Sequence, residues 1–333
     1  MHALGTSVLV VDIRAKSDSL LNSNPVDYIC GDLRNADFCD RIVKNVHTVI
    51  HMAANTDGMG TIHRNNDFVA YQDNSIMTIN ILKASVKAGV KCFLFASSAC
   101  VYPDRLLSNP AKIIGLKESD AWSNFPPSPQ SLFSLEKLVG EMIILQYRDT
   151  MDIKIARFYN VYGPGSTWTG GREKAPAAFA RKAVVSKMSQ CISNGMQDDF
   201  EIWSDGTQRR SFLYISDAVD AIFRLLNTYG SATINVSSED YVSMNELAEI
   251  ACNAAEEDVR FQYNDSRLIG VTSDNTNDWE PTVSLKRGMT WTVEWVKSQV
   301  TCFQILLILS EDNSKTRSRR KQNISIAQVV RDF

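Results

Sequence analysis

The chain has 333 residues, 44% hydrophobic and 22% charged, with 35 Lys+Arg against 38 Asp+Glu for a net charge of −3. That length holds one large or two modest domains of roughly 100–200 residues, and the balanced charge excludes a general pull toward nucleic acid or anionic membrane. Seven cysteines without a Cys-x-x-Cys pair, and no secretory signal, point to a reducing, cytoplasmic setting, while four scattered histidines offer no metal-ligand cluster.

Residues 7–12, SVLVVD, form a β-branched run ending in a carboxylate, and 28–34, YICGDLR, read as the next strand with Asp32 at its end. A dinucleotide-binding unit places such an acidic residue about 20 residues after a glycine fingerprint, but only Gly5 lies upstream of Asp12. The spacing then predicts a helix over 36–44 and a buried strand over 47–54. A loop follows, in which Gly58 and Gly60 permit close backbone approach to a ligand. Ile76, Ile79, Leu82 and Val86 mark one side of a helix over 73–89.

Residues 91–104, KCFLFASSACVYPD, organise the rest. Their apolar start reads as a buried parallel strand, and Ser97, Ser98, Ala99 and Cys100 stand at its carboxyl end, where open α/β sheets bind ligands. A free cysteine is ordinarily a small buried hydrophobe; this placement makes Cys100 a site candidate. Residues 131–149 read as an amphipathic helix carrying Phe133-Ser134-Leu135-Glu136-Lys137, and 152–162 as a further strand. Beyond Gly163-Pro164-Gly165 the alternation loosens into helices over 177–188, 215–226 and 244–255 and strands over 200–203, 206–214 and 233–236. The apolar run 302–309 is too short to span a bilayer, and the later charged segment reads as a solvated tail.

These elements predict a doubly wound parallel α/β sheet, Rossmann-like but without its first strand and glycine turn, with a smaller α/β substrate lobe. The expected divisions are 1–165 for the sheet domain, 166–300 for the lobe with chain exchange between the two, and 301–333 for a divergent, partly disordered tail. A central strand missing from the order 3-2-1-4-5-6 leaves two strands without their shared neighbour, so the sequence is expected to begin inside a longer natural chain.

ASSACVYP (96–103), LKESDAW (116–122), RFYNVYGP (157–164), GGREKAPAAF (170–179), WSDGTQRRSF (203–212) and VSMNELAE (242–249) together resemble the extended short-chain dehydrogenase/reductases that act on nucleotide sugars, and among them the GDP-mannose 3,5-epimerase branch. The resemblance implies bound NAD, hydride removal from a sugar C4, proton exchange at C3 and C5 of the resulting ketone, and hydride return. It also implies that Cys100 and Lys174 are the acid/base pair and that Lys137 holds the nicotinamide ribose. Asp12 and Asp32 would contact NAD. Gly58, Ser98, Ala99, Asn160, Glu173, Ala175, Lys182, Gln208, Arg209 and Arg210 would line the GDP-sugar, the arginines suiting its diphosphate. Relatives of this kind imply a homodimer through the helix that carries Phe133 and Lys137.

Three departures stand against that pattern. Phe133 occupies the place of the family's catalytic tyrosine, and losing a positioned general base typically costs about 10²–10⁴-fold in rate. The phosphate-binding glycine turn is missing, and Val271 stands where the family carries a diphosphate arginine. The expectation is an impaired epimerase, with a non-catalytic nucleotide-sugar binder or partner subunit as the alternative.

Overall fold

The computed structural model describes residues 5–19, 21, 25–56, 67–103, 106, 116–123, 131–170, 173–192, 200–257, 261–264 and 279–314. Gly58, Val271 and the charged tail beyond 314 lie outside the described residues.

Four parallel strands make the main sheet, in the order β3 (Thr48–His51), β4 (Cys92–Ser98), β5 (Asp152–Phe158) and β9 (Ala232–Val236). Side chains alternate across a strand, and here both faces are apolar. Phe93, Phe95, Ile153 and Ile155 pack with α1 (Ala36–Ile42), α2 (Asp67–Ala88) and α3 (Leu132–Leu145) on one face. Leu94, Ala156 and Val236 pack with α5 (Ile215–Leu226) on the other. Phe93, Leu94 and Phe95 are fully buried, each stabilising the fold by about 1.5–3 kcal/mol relative to exposure. That is the doubly wound arrangement the sequence predicts.

β1 (Leu9–Asp12) and β2 (Asp27–Cys30) form a separate parallel pair. No residue of either strand is fully buried, and Leu9 and Ile29 are each 38% exposed. Among the described residues neither strand joins β3, so the sheet is interrupted where the expected first strand would lie.

The expected strand over 152–162 divides at Tyr159. The Tyr159 N–H donates to Val236 O at 3.1 Å, after which β6 (Asn160–Tyr162) leaves the main sheet and pairs with β8 (Arg209–Tyr214). Strand β8 also pairs with β10 (Tyr241–Ser243), and β7 (Phe200–Trp203) with β11 (Phe261–Asn264). Around them α4 (Ala175–Ile192), α6 (Met244–Ala255) and α7 (Leu285–Ser314) enclose a second core containing Phe179, Phe200, Ile202, Leu247, Met289 and Val296. Helix α5 and strand β9 return to the main sheet. Helix α7 runs unbroken past Thr301, so the compositional change there is not a change of element. Among the described residues no helix is long and apolar enough to cross a membrane.

Candidate active site

Strand β4 ends at Ser98, whose extended backbone and hydroxyl start a short 3-10 turn over Ala99–Val101; the Cys100 N–H donates to Ser98 Oγ at 3.2 Å. The thiol of Cys100 is therefore held at the carboxyl end of the sheet, half-buried, by its own local sequence. Ser97 faces the opposite way and donates to Glu141 Oε1 at 2.5 Å.

Glu141 belongs to a buried network. Arg157, next to the carboxyl end of β5, donates to both its oxygens at 2.9 and 2.7 Å, and from Nη1 to Tyr102 Oη at 3.1 Å and Glu118 O at 2.7 Å. Tyr102 in turn donates to Asn235 Oδ1 at 2.6 Å. Charged groups are almost never buried unless paired, so the arginine inside the apolar strand DIKIARF was the signal for a carboxylate partner. Sequence reading quoted Arg157 only within a motif and missed Glu141.

Helix α3 approaches β4 closely because Gly140 offers no Cβ, which would stand 3.0 Å from the Phe95 ring. Ser131 caps the helix by accepting from the Ser134 N–H at 3.2 Å. Spacing of four puts Phe133, Lys137 and Glu141 on one side. Lys137 Nζ lies 4.9 Å from the Phe95 ring centroid, 5.7 Å from that of Phe133 and 3.7 Å from Glu136 Oε2. Burial depresses the Lys137 pKa, with Glu136 pulling it back. Burial raises that of Glu136, with Lys137 and Asn74 opposing. His51 on β3 is fully enclosed beside them, bonded through Nε2 to Thr78 Oγ1 at 3.1 Å. Burial, and then the Lys137 charge, hold its pKa down to about 3.

The two adjacent arginines are split by strand alternation. Arg209 pairs with Glu246 at 3.4 Å and donates to Tyr241 O, on the surface of the second lobe. Arg210 points inward, its pKa lowered by burial to about 10, with the charge of Cys100 acting against that shift. Alternation thus leaves Arg209 exposed and Arg210 half-buried.

The other expected residues are distributed as follows along the chain. Asp12 accepts from the Arg14 N–H at 2.9 Å and Asp32 from Arg34 Nη2 at 2.7 Å. The Gly31 N–H donates to Asp12 O at 2.9 Å, which sets these two strand ends side by side. Asn160 Nδ2 donates to Ser211 O at 3.0 Å, and Gln208 Nε2 to Trp203 O at 3.0 Å. Glu173 pairs with Arg181 at 3.0 Å. Lys174 is exposed and its carbonyl accepts from the Ala178 N–H at 2.9 Å, leading into α4, which Ala175 begins. Lys182 Nζ donates to Glu201 O at 2.5 Å, beside the Phe179 and Phe200 rings of the lobe core.

A model of the NAD dependent epimerase/dehydratase family matches residues 1–237. The chain belongs to this family. It is 39% identical over 280 residues to GDP-mannose 3,5-epimerase 1 of Oryza sativa subsp. indica, covering 81% of this chain and 69% of the relative. With the GDP-mannose 3,5-epimerase of Arabidopsis thaliana it shares 37% over 278 residues, 81% of this chain and 70% of that one. The family fold is equally plain: UDP-glucose 4-epimerase from Thermotoga maritima superimposes with a TM-score of 0.75 at 22% identity, over 90% of this chain and 93% of that one.

Within the family's frame, the residues present suit the two ends of a dinucleotide. Asp12 and Asp32 stand at adjacent strand ends, and Lys137 is buried on α3.

Proposed function

We propose that this protein is a nucleotide-sugar epimerase of the GDP-mannose 3,5-epimerase kind, working with a bound NAD and weakened by Phe133. The observation that carries the reading is the placement of the half-buried Cys100 thiol at the carboxyl end of β4, in a chain 39% identical to such an epimerase. Asp12 and Asp32 hold the adenosine end of the cofactor and Lys137 the nicotinamide end. NAD, when bound, supplies the reversible oxidation that turns the sugar C4 into a ketone and makes its neighbouring protons acidic. Cys100 then exchanges a proton on one face of the ring and Lys174 on the other. A thiol, with a reference pKa of about 8.5, and a lysine are workable partners for such exchange near neutral pH. The buried Arg157–Glu141 pair holds Ser97, and with it the turn bearing Cys100, in register with α3.

Incubation of the protein with GDP-mannose and NAD in heavy water tests this: deuterium at C3 or C5 is the expected result, and none at all would defeat it. One observation favours a second reading as a non-catalytic binder or partner subunit: the Lys137 ammonium meets a phenyl ring and no phenol. Binding of GDP-mannose without exchange would establish that alternative. A homodimer through α2 and α3 is supported by Phe68, Val69, Leu132 and Met142, which leave apolar side chains exposed on these helices. Sedimentation equilibrium decides it.

A further inference from the structure

Glu136 is almost wholly buried, yet among the described residues neither of its carboxylate oxygens accepts a hydrogen bond. Asn74, whose side chain holds the Glu136 pKa down against burial, donates from Nδ2 to Asn55 O at 3.2 Å. Lys137, equally buried, has as its nearest ionic partner Glu136 Oε2 at 3.7 Å, beyond hydrogen-bond range. Its remaining described contacts are the faces of Phe95 and Phe133. Two buried ions left this poorly satisfied are costly, and moving one proton from nitrogen to oxygen removes both charges.

The surrounding groups do not supply other partners. Glu141, one turn along α3, is saturated by Arg157 and Ser97. Asp73 on α2 is held by Arg34 and Asn55. His51 on β3 is bonded to Thr78. Cys100 lies on the short turn packed against α3. The hydroxyls nearest Phe133 in sequence are also committed, since Ser131 and Ser134 bond each other at 3.0 Å in the helix cap.

We infer that Glu136 and Lys137 share a single proton, and that Lys137 as the free amine serves as the base in place of the tyrosine that Phe133 replaces. This rests on the epimerase reading above. As Nζ and Oε2 close from 3.7 Å to hydrogen-bond distance, an N–H bond of the ammonium breaks and the proton passes to Glu136 Oε2, leaving the electron pair on Nζ. That pair takes the proton of the sugar C4 hydroxyl as its O–H bond breaks, while the C4 hydride leaves for the oxidised nicotinamide; the return of hydride reverses each transfer. Lys137 is thus a catalytic residue and Glu136 a positioning residue that stores its proton.

Infrared spectroscopy of the full chain tests the shared proton without any turnover. A protonated carboxyl band at pH 7 that disappears in Glu136→Gln is expected. If that variant fails to fold, Glu136→Asp moves the band instead, and a band unaffected by either substitution, or absent from the unsubstituted protein, overturns the proposal. In the heavy-water assay, Glu136→Gln is expected to lower exchange at least tenfold at pH 7 and to displace its pH profile to the alkaline side, because Lys137 must then lose its proton to solvent. Equal exchange with an unmoved profile overturns the catalytic role. A protein that shows the band but no exchange keeps the shared proton and loses the epimerase reading on which the catalytic half depends.

Discussion

Lys137 Nζ stands 5.7 Å from the ring centroid of Phe133, the residue one helical turn before it. The ammonium thus meets a π-face where the family resemblance implies a tyrosine hydroxyl. Phe133 is only half-buried, so a hydroxyl added at its ring edge need not displace core atoms. Phe133→Tyr is expected to raise deuterium exchange into GDP-mannose by about 10²-fold or more, the contribution of a positioned general base. An unchanged rate would place the deeper fault in cofactor binding.

Removing Glu141 strands the Arg157 guanidinium, which is 1% exposed. Leaving one member of a buried pair unpartnered costs about 3–5 kcal/mol. Glu141→Gln should lose that much in urea unfolding. The exposed pair Lys87–Asp40, at 2.5 Å, serves as the contrast: Asp40→Asn is expected to leave the midpoint unchanged, as exposed ion pairs commonly do.

His51 titrates near 3 in the folded protein against about 6.5 in an unfolded chain. Between those values the unfolded state binds one more proton than the folded, so stability is fully present above about pH 6.5 and declines as pH falls toward 3. The limiting slope is about 1.4 kcal/mol per pH unit. Urea midpoints measured from pH 7.5 to 4 should flatten in His51→Gln relative to the unsubstituted chain.

Gly288 on α7 lets that helix touch Tyr162: a Cβ there would meet Tyr162 Oη at 2.2 Å and Tyr214 Cδ2 at 2.8 Å. Tyr162 is not free to retreat, because its hydroxyl donates to Leu285 O at 3.2 Å. Overpacking costs about 1–3 kcal/mol, against about 1 kcal/mol gained in helix propensity. Gly288→Ala should therefore lower the thermal midpoint, and adding Tyr162→Phe should restore part of it, a coupling that a double-mutant cycle reads directly.

The layered sheet was legible because its signals are local. Buried parallel strands demand continuous apolar runs, and the run 92–98 supplies one that ends in small polar residues. The cap of α6 is equally local: Ser243 and Glu246 form a capping box within four residues. The long helix α7 and strands β10 and β11 were not read, since their residues are placed by packing against the second lobe and by short pairings.

The sequence by itself determined the strand-helix alternation, the polar end of β4 and the absence of a phenol at position 133, each a property of neighbouring residues. Only the tertiary structure decided that Arg157 finds Glu141, that Arg209 pairs with Glu246 on the surface, and that Lys137 is buried between Glu136 and the rings of Phe95 and Phe133. Those outcomes depend on burial and on partners from separate elements, and the electrostatic worth of a charge is set by the dielectric and the neighbours that folding brings to it.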